Sequence, residues 1–212
     1  MKIKVCGLTS FEQMVELQNL GVDYLGLIFY EGSSRFVGNK LSEQKEAVRD
    51  LEMAKVGVFV NADTATISQA ISDYGLSAVQ LHGDESPEVC AALMLRVSVI
   101  KAFRIDDDTN IDAVLAPYNG ACNYYLLDTA GTAYGGNGQK FDWHKLDDAI
   151  ISKLFFLSGG IGPEDANRLR GFYHSFLYAI DINSRFETAP GIKDLALIET
   201  FIDRVKQRHD ED

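Results

Sequence analysis

The sequence predicts an α/β fold, a single-domain (β/α)8 barrel (TIM barrel) over residues 1–212, and three observations carry that expectation. Eight short apolar runs rich in β-branched residues recur, with starts roughly 20 to 30 residues apart. That spacing leaves room for one helix and two loops between successive parallel strands. The runs are apolar on consecutive positions rather than alternating, as strands buried on both faces are. A length of 212 residues fills one barrel without a second domain. Periodicity alone also permits an open doubly wound sheet.

In chain order the predicted strands are "KIKVC" from Lys2, "YLGLIF" from Tyr24, "AKVGVFV" from Ala54, "SAVQL" from Ser77, "SVIKAF" from Ser98, "YYLLD" from Tyr124, "LFFLS" from Leu154 and "LYAID" from Leu177. Between the first two, "SFEQMVELQNLG" reads as a helix. Ser10 is its N-cap, Phe11, Met14, Val15 and Leu17 follow at helical spacing, and Gly21 is its C-cap. "TATISQAISDYG" repeats the form and stops at Gly75. After the seventh run, Gly159 and Gly160 make a turn, and Pro163, Glu164 and Asp165 open a helix in the positions those residues prefer. The loop "TAGTAYGGNGQKFDW" is long and glycine-rich, which suits a cover over a site or an ordinary exposed connection. It lacks the spacing of a nucleotide P-loop. The tail "KQRHDED" reads as frayed and solvated.

A formal charge of −11 argues against nucleic acid as a partner, because such a partner needs clustered Lys and Arg to displace counterions. The start has no apolar core like that of a secretory signal, and no run approaches membrane-spanning length. A cytoplasmic protein without a membrane partner is expected. Cys6, Cys90 and Cys122 are far apart, with no C-x-x-C pair, so reduced thiols and no metal are expected.

A barrel places its chemistry at the C-terminal ends of the strands. The polar and glycine residues there are Cys6, His82, Asp128, Gly159, Gly160 and Asp181. Alternation puts Lys4 with Cys6, and Leu126 with Asp128, on one face of their strands, so a thiol and a carboxylate share one pocket. Cys6 reads either as a small buried hydrophobe or as a base. An unperturbed thiol is only about 3% thiolate at neutral pH, so a base there needs positive charge, which Lys4 can supply. Asp128 closes an apolar run, either as a loop cap or as a site residue. Gly159 and Gly160 permit close backbone approach to a phosphate after the seventh strand. Arg35 is a candidate for a substrate carboxylate, or an ordinary surface arginine. His82 reads as a hydrogen-bonded residue at the barrel top, and Asp106, Asp107 and Asp108 as a solvated loop.

Taken as an ordered set, "KVCGLT", "LGLIFYEGSSRFV", "VGVFVN", "VQLHGDES", "IKAFRI", "LLDT…GGNGQKFDW", "LSGGIGPEDA" and "DINSRFETAPGIKD" resemble the phosphoribosylanthranilate isomerases of tryptophan biosynthesis through nearly the whole chain. The resemblance implies a (β/α)8 barrel that converts N-(5-phosphoribosyl)anthranilate to the 1-deoxyribulose product by an Amadori rearrangement, with no metal or cofactor. It implies Cys6 as general base, Asp128 as general acid and Arg35 as the holder of the anthranilate carboxylate. It further implies Gly159, Gly160 and the loop around Ser184 as phosphate ligands, with Asp181 also on the substrate. The expected partner is a small phosphosugar, bound by a monomer or a homodimer. Two positions depart from the family pattern. Arg185 stands where the family usually has glycine, and either reinforces or crowds the phosphate site; Asn137 stands where threonine is common. The related isomerase of histidine biosynthesis uses an aspartate in place of Cys6, which argues against that alternative. A phosphosugar-binding protein that has lost turnover is the other alternative, and the presence of both catalytic residues argues against it.

Overall fold

In the computed structural model, which describes residues 1–129 and 142–206, the eight predicted runs form eight strands in a closed barrel in sequence order. They are β1 (Lys2–Val5), β2 (Tyr24–Ile28), β3 (Ala54–Phe59), β4 (Ala78–Leu81), β5 (Ser98–Ile105), β6 (Tyr124–Thr129), β7 (Phe155–Leu157) and β8 (Leu177–Ile182). Every pairing is parallel, and β8 closes on β1 with Lys2 opposite Ala179 and Val5 opposite Ile182. The open-sheet alternative is therefore excluded.

Parallel strands inside a shell of helices bury both faces, and the core divides accordingly. Val56, Ala78, Ile100, Ala102, Leu126, Phe156 and Ala179 fill the barrel interior. A larger cluster, including Val5, Leu25, Phe59, Val79 and Leu127, lies between the strands and the helices. The inward positions change character along each strand. On β6 they run Tyr124, Leu126, Asp128, and on β8 a register shift makes Tyr178 an extra residue between the pairs Phe155–Leu177 and Phe156–Ala179. Tyrosines 24, 124 and 178 thus close the bottom of the barrel around Phe156, while carboxylates and a lysine collect at the top.

The helices have local causes. In α1 (Phe11–Asn19) Ser10 accepts from the Gln13 amide, and Met14 and Leu17 are the buried residues. The cap at its other end is Leu20, one residue before the expected Gly21, which follows in the left-handed region at φ +71°. After α2 (Lys45–Asp50) comes α3 (Thr64–Tyr74), capped by Asp63 and stopped at Gly75 in the left-handed conformation. Ser86 caps α4 (Pro87–Met94), whose first residue is proline, and Asn110 caps α5 (Ile111–Leu115). Pro163–Asp165 forms a single 3-10 turn rather than the start of an α-helix proper, and leads into α6 (Ala166–Gly171).

Two connections depart from one helix per strand. Between β6 and β7 the described residues hold only a 3-10 turn, Trp143–Leu146. Residues 130–141, most of the glycine-rich segment read as a cover or an ordinary connection, with Asn137 inside it, and the tail beyond Lys206 lie outside the described residues. After β8 the chain makes an antiparallel hairpin, β9 (Glu187–Ala189) with β10 (Ile192–Lys193), before α7 (Leu195–Lys206). Among the described residues no helix is long and apolar enough to cross a membrane.

Candidate active site

At the C-terminal ends of the strands lies a cavity of about 280 Å³. All seven residues that the sequence nominates for the site line it: Cys6, Arg35, Asp128, Gly159, Gly160, Asp181 and Ser184. The strand ends explain the convergence of Cys6, Asp128 and Asp181, which stand two positions beyond Lys4, Leu126 and Ala179, while Arg35, Gly159, Gly160 and Ser184 come from the loops that follow β2, β7 and β8.

Cys6 follows β1 directly and is 5% exposed. Its place depends on Gly26 in β2, where a Cβ would stand 2.8 Å from both the Cα and the Sγ of Cys6. No side chain can occupy that position without pushing the thiol. We expect Gly26→Ala to cost about 1–3 kcal/mol of stability through overpacking, and to lower kcat by about 10- to 100-fold through displacement of Cys6. Thermal unfolding and steady-state kinetics on the same preparation check both. On the other side of Cys6, Gly7 sits at φ +76°, where a Cβ would strike Cδ of Arg35 and Oδ1 of Asn183.

Lys4 is fully buried and donates from Nζ to Asp181 Oδ2 at 2.8 Å. Burial works against its charge, but the Asp181 carboxylate and the Cys6 sulfur outweigh that and hold its pKa above the ordinary lysine value. Lys4 therefore stays an ammonium. For Cys6 the balance is reversed: burial pushes the thiol up, and Asp181 adds to this, against the opposing pull of Lys4 and Lys193. The sequence foresees Lys4 but not Lys193, which arrives from β10. The net result is a thiol above its ordinary range in the unliganded site. Asp181 is pushed up chiefly by burial, against Lys4 and with the Asp128 carboxylate nearby. Its second oxygen, Oδ1, is buried without a hydrogen-bond partner among the described residues, so it is poised to accept from a ligand.

Across the cavity, Asp128 takes part in a relay. Gln80 Nε2 lies 2.8 Å from His82 Nδ1, and His82 Nε2 lies 3.2 Å from Asp128 Oδ2. An amide nitrogen can only donate, so in this arrangement Nδ1 accepts and Nε2–H donates to Asp128. One carboxylate oxygen is thereby fixed, on a side chain that lines the cavity. The turn carrying His82 is held by a buried Glu85, which accepts from the Gly83 and Asn61 amides and from Lys101 Nζ. His82 is a hydrogen-bonded barrel-top residue, as expected.

Arg35 is neither a plain surface residue nor wholly free for a substrate. Its side chain is 20% exposed, and its Nε and Nη2 grip the Glu187 carboxylate at 2.6–3.0 Å. Glu187 was not foreseen; 152 positions separate it from Arg35, and no local pattern marks a pairing at that range. Gly159 and Gly160 adopt φ +92° and +66°, and a Cβ on Gly159 would stand 2.2 Å from Thr129 Oγ1. Only glycine fits there, and the turn leaves bare backbone on the cavity wall beside Ser184. Arg185 is not among the residues that line the cavity. Its Nη2 donates to Glu164 Oε1 at 2.9 Å on the exposed rim. Asp106 accepts from Asp108 and Thr109 within an exposed loop, as expected of a solvated turn. Among the described residues no cluster of His, Cys, Asp or Glu is arranged to hold a metal ion.

Opposed acid and base candidates over a glycine-walled pocket narrow the chemistry, and comparison with known proteins decides the family. Residues 3–204 match the family described as N-(5′-phosphoribosyl)anthranilate (PRA) isomerase. This chain belongs to that isomerase family. A relative from Parabacteroides distasonis, named N-(5′-phosphoribosyl)anthranilate isomerase, is 42% identical over 207 residues, covering 97% of this chain and 93% of that one. The crystal structure of the phosphoribosyl anthranilate isomerase from Thermotoga maritima is similar with a TM-score of 0.83 and 32% identity, over 97% of this chain and 98% of that one. A further isomerase structure, in complex with reduced 1-(o-carboxyphenylamino)-1-deoxyribulose 5-phosphate, matches with a TM-score of 0.80 and 31% identity over the same shares.

Proposed function

We propose that this chain isomerises N-(5-phosphoribosyl)anthranilate to 1-(2-carboxyphenylamino)-1-deoxyribulose 5-phosphate in tryptophan biosynthesis, with Asp128 as general acid and Cys6 as general base. The observation that carries the reading is that both residues line one cavity within a chain of this family. The substrate is a small phosphosugar carrying an aromatic carboxylate, so the site must meet an anion at each end of a ribose.

The reaction needs one proton given and one taken. Asp128, fixed through Oδ2 by His82, donates to the furanose ring oxygen. The C1′–O bond breaks and the anthranilate nitrogen supplies the electrons for a protonated Schiff base at C1′. That cation acidifies C2′–H. Cys6 as thiolate takes this proton, its electron pair forms the C1′–C2′ double bond of an enolamine, and tautomerisation gives the ketone. Carbon is oxidised at C2′ and reduced at C1′, so no external oxidant or reductant enters. The Cys6 thiol must ionise for this, and Lys4 and Lys193 supply the compensating charge. Backbone N–H groups of Gly159 and Gly160, with Ser184, suit the phosphate, and Arg35 suits the anthranilate carboxylate.

The functional test is genetic. Expressed in a bacterium deleted for its own isomerase, the chain is expected to restore growth without tryptophan. Abundant folded protein without growth would contradict the proposal.

A further inference from the structure

Arg35 meets the cavity with its guanidinium already engaged, which raises the question of how it can serve a substrate. The fork has five N–H donors. Glu187 takes Nε and Nη2, which leaves the end of the fork, formed by Nη1 and the second hydrogen of Nη2, for a second carboxylate. Glu187 is itself held firmly. Its side chain is 5% exposed, and it accepts from Lys193 Nζ at 2.7 Å and from the Gly191 amide at 3.1 Å. Burial alone would push its carboxyl up, but the hydrogen bonds and charges of Arg35 and Lys193 outweigh this and hold it below the usual range.

The hairpin that bears these residues is stitched to the first βα unit. Gln13 exchanges two hydrogen bonds with the backbone of Lys193, at 2.8 and 2.9 Å, and Thr9 donates to the Gly191 carbonyl at 2.9 Å. Lys193 Nζ also donates to Asn183 Oδ1 at 2.7 Å. Asn183 and Arg35 pack against the Gly7 turn from two sides. In charge terms, Glu187 stands between two cationic neighbours, Arg35 and Lys193.

We infer that Glu187, fixed by Lys193, is a positioning residue that holds one edge of Arg35 and thereby aims the other at the carboxylate of the substrate. This rests on the isomerase reading and on Arg35 as the carboxylate ligand. It assigns to the β9–β10 hairpin a part in substrate selection without contact with the reacting atoms. Ligands with an aromatic carboxylate gain from it, and ligands without one do not.

The test is a double-mutant cycle on the full chain, read as kcat and KM for phosphoribosylanthranilate and as Kd for the reduced product analogue. Glu187→Gln is expected to raise KM and Kd by about 10- to 100-fold, the scale of a misplaced positioning group, with kcat changed far less. In an Arg35→Met background the same substitution is expected to add less than about twofold, because its object is gone. A reduced analogue without the ring carboxylate is expected to bind both forms equally. If Glu187→Gln proves unstable alone, Glu187→Asp keeps the charge, shortens its reach to Arg35 and is read in KM and Kd in the same way. Equal losses in both backgrounds, a loss confined to kcat, or a lower KM from released competition for Arg35 would each overturn the inference. No turnover by the folded wild type would instead sink the isomerase reading beneath it.

Discussion

Asp128→Asn is expected to lower kcat by about 10²- to 10⁴-fold, the range of a positioned general acid, with KM changed little. Asparagine preserves the shape of the side chain and its contact with His82, so binding is kept while the proton for the ring oxygen is lost. The relay sharpens the expectation. Asp128 Oδ2 is 3.2 Å from His82 Nε2, and the amide can present its oxygen there just as the carboxylate does. A loss of kcat therefore reports the missing proton and not a displaced loop. Steady-state kinetics at several substrate concentrations separate the two parameters. If kcat stays within about tenfold of wild type, an amount too small for a general acid, another residue supplies the proton.

Cys6→Ala is expected to lose at least as much, since it removes the one thiol that lines the cavity among the described residues. The pH dependence adds an independent reading. A base acts only when deprotonated, and burial holds the Cys6 thiol above its ordinary value of 9.0 despite Lys4 and Lys193. A raised pKa moves the rising limb of activity to higher pH. The value of kcat/KM, which reports the free enzyme, is thus expected to climb with pH through neutrality, with no plateau below pH 9.0 from this group. Alkylation of Cys6 by iodoacetamide, followed by mass spectrometry, should show the same limb. A thiol that reacts at a pH-independent rate between pH 6 and 8, well below the ordinary range for cysteine, would contradict the electrostatic account.

The strands were legible because of what a parallel barrel demands. Each strand is covered on both faces, so "VGVFV" and "YYLL" appear as continuous apolar runs. The catalytic candidates were legible for the converse reason: Asp128 ends such a run with a charge, and that cost needs a purpose. Local capping was equally plain at Ser10 and Gly75. The residues that escaped are those whose meaning depends on distant partners. Glu187 and Lys193 lie in "ETAPGIKD", a stretch with no apolar period, and their partners Arg35 and Asn183 come from opposite ends of the chain or from the preceding turn. Among its described residues the connection between β6 and β7 holds a 3-10 turn, which spacing does not reveal, because it counts residues and cannot tell one kind of connection from another of equal length. The ion pair of Arg185 was equally hidden, because its partner Glu164 follows a different strand.

The account stands or falls on turnover. Freshly prepared phosphoribosylanthranilate loses its anthranilate-type fluorescence on isomerisation, so the purified chain can be assayed directly, beside the aminoimidazole substrate of the histidine-pathway isomerase. The account predicts rapid loss of fluorescence from the anthranilate substrate and no conversion of the aminoimidazole one. A folded wild-type protein that leaves the anthranilate fluorescence unchanged would contradict it.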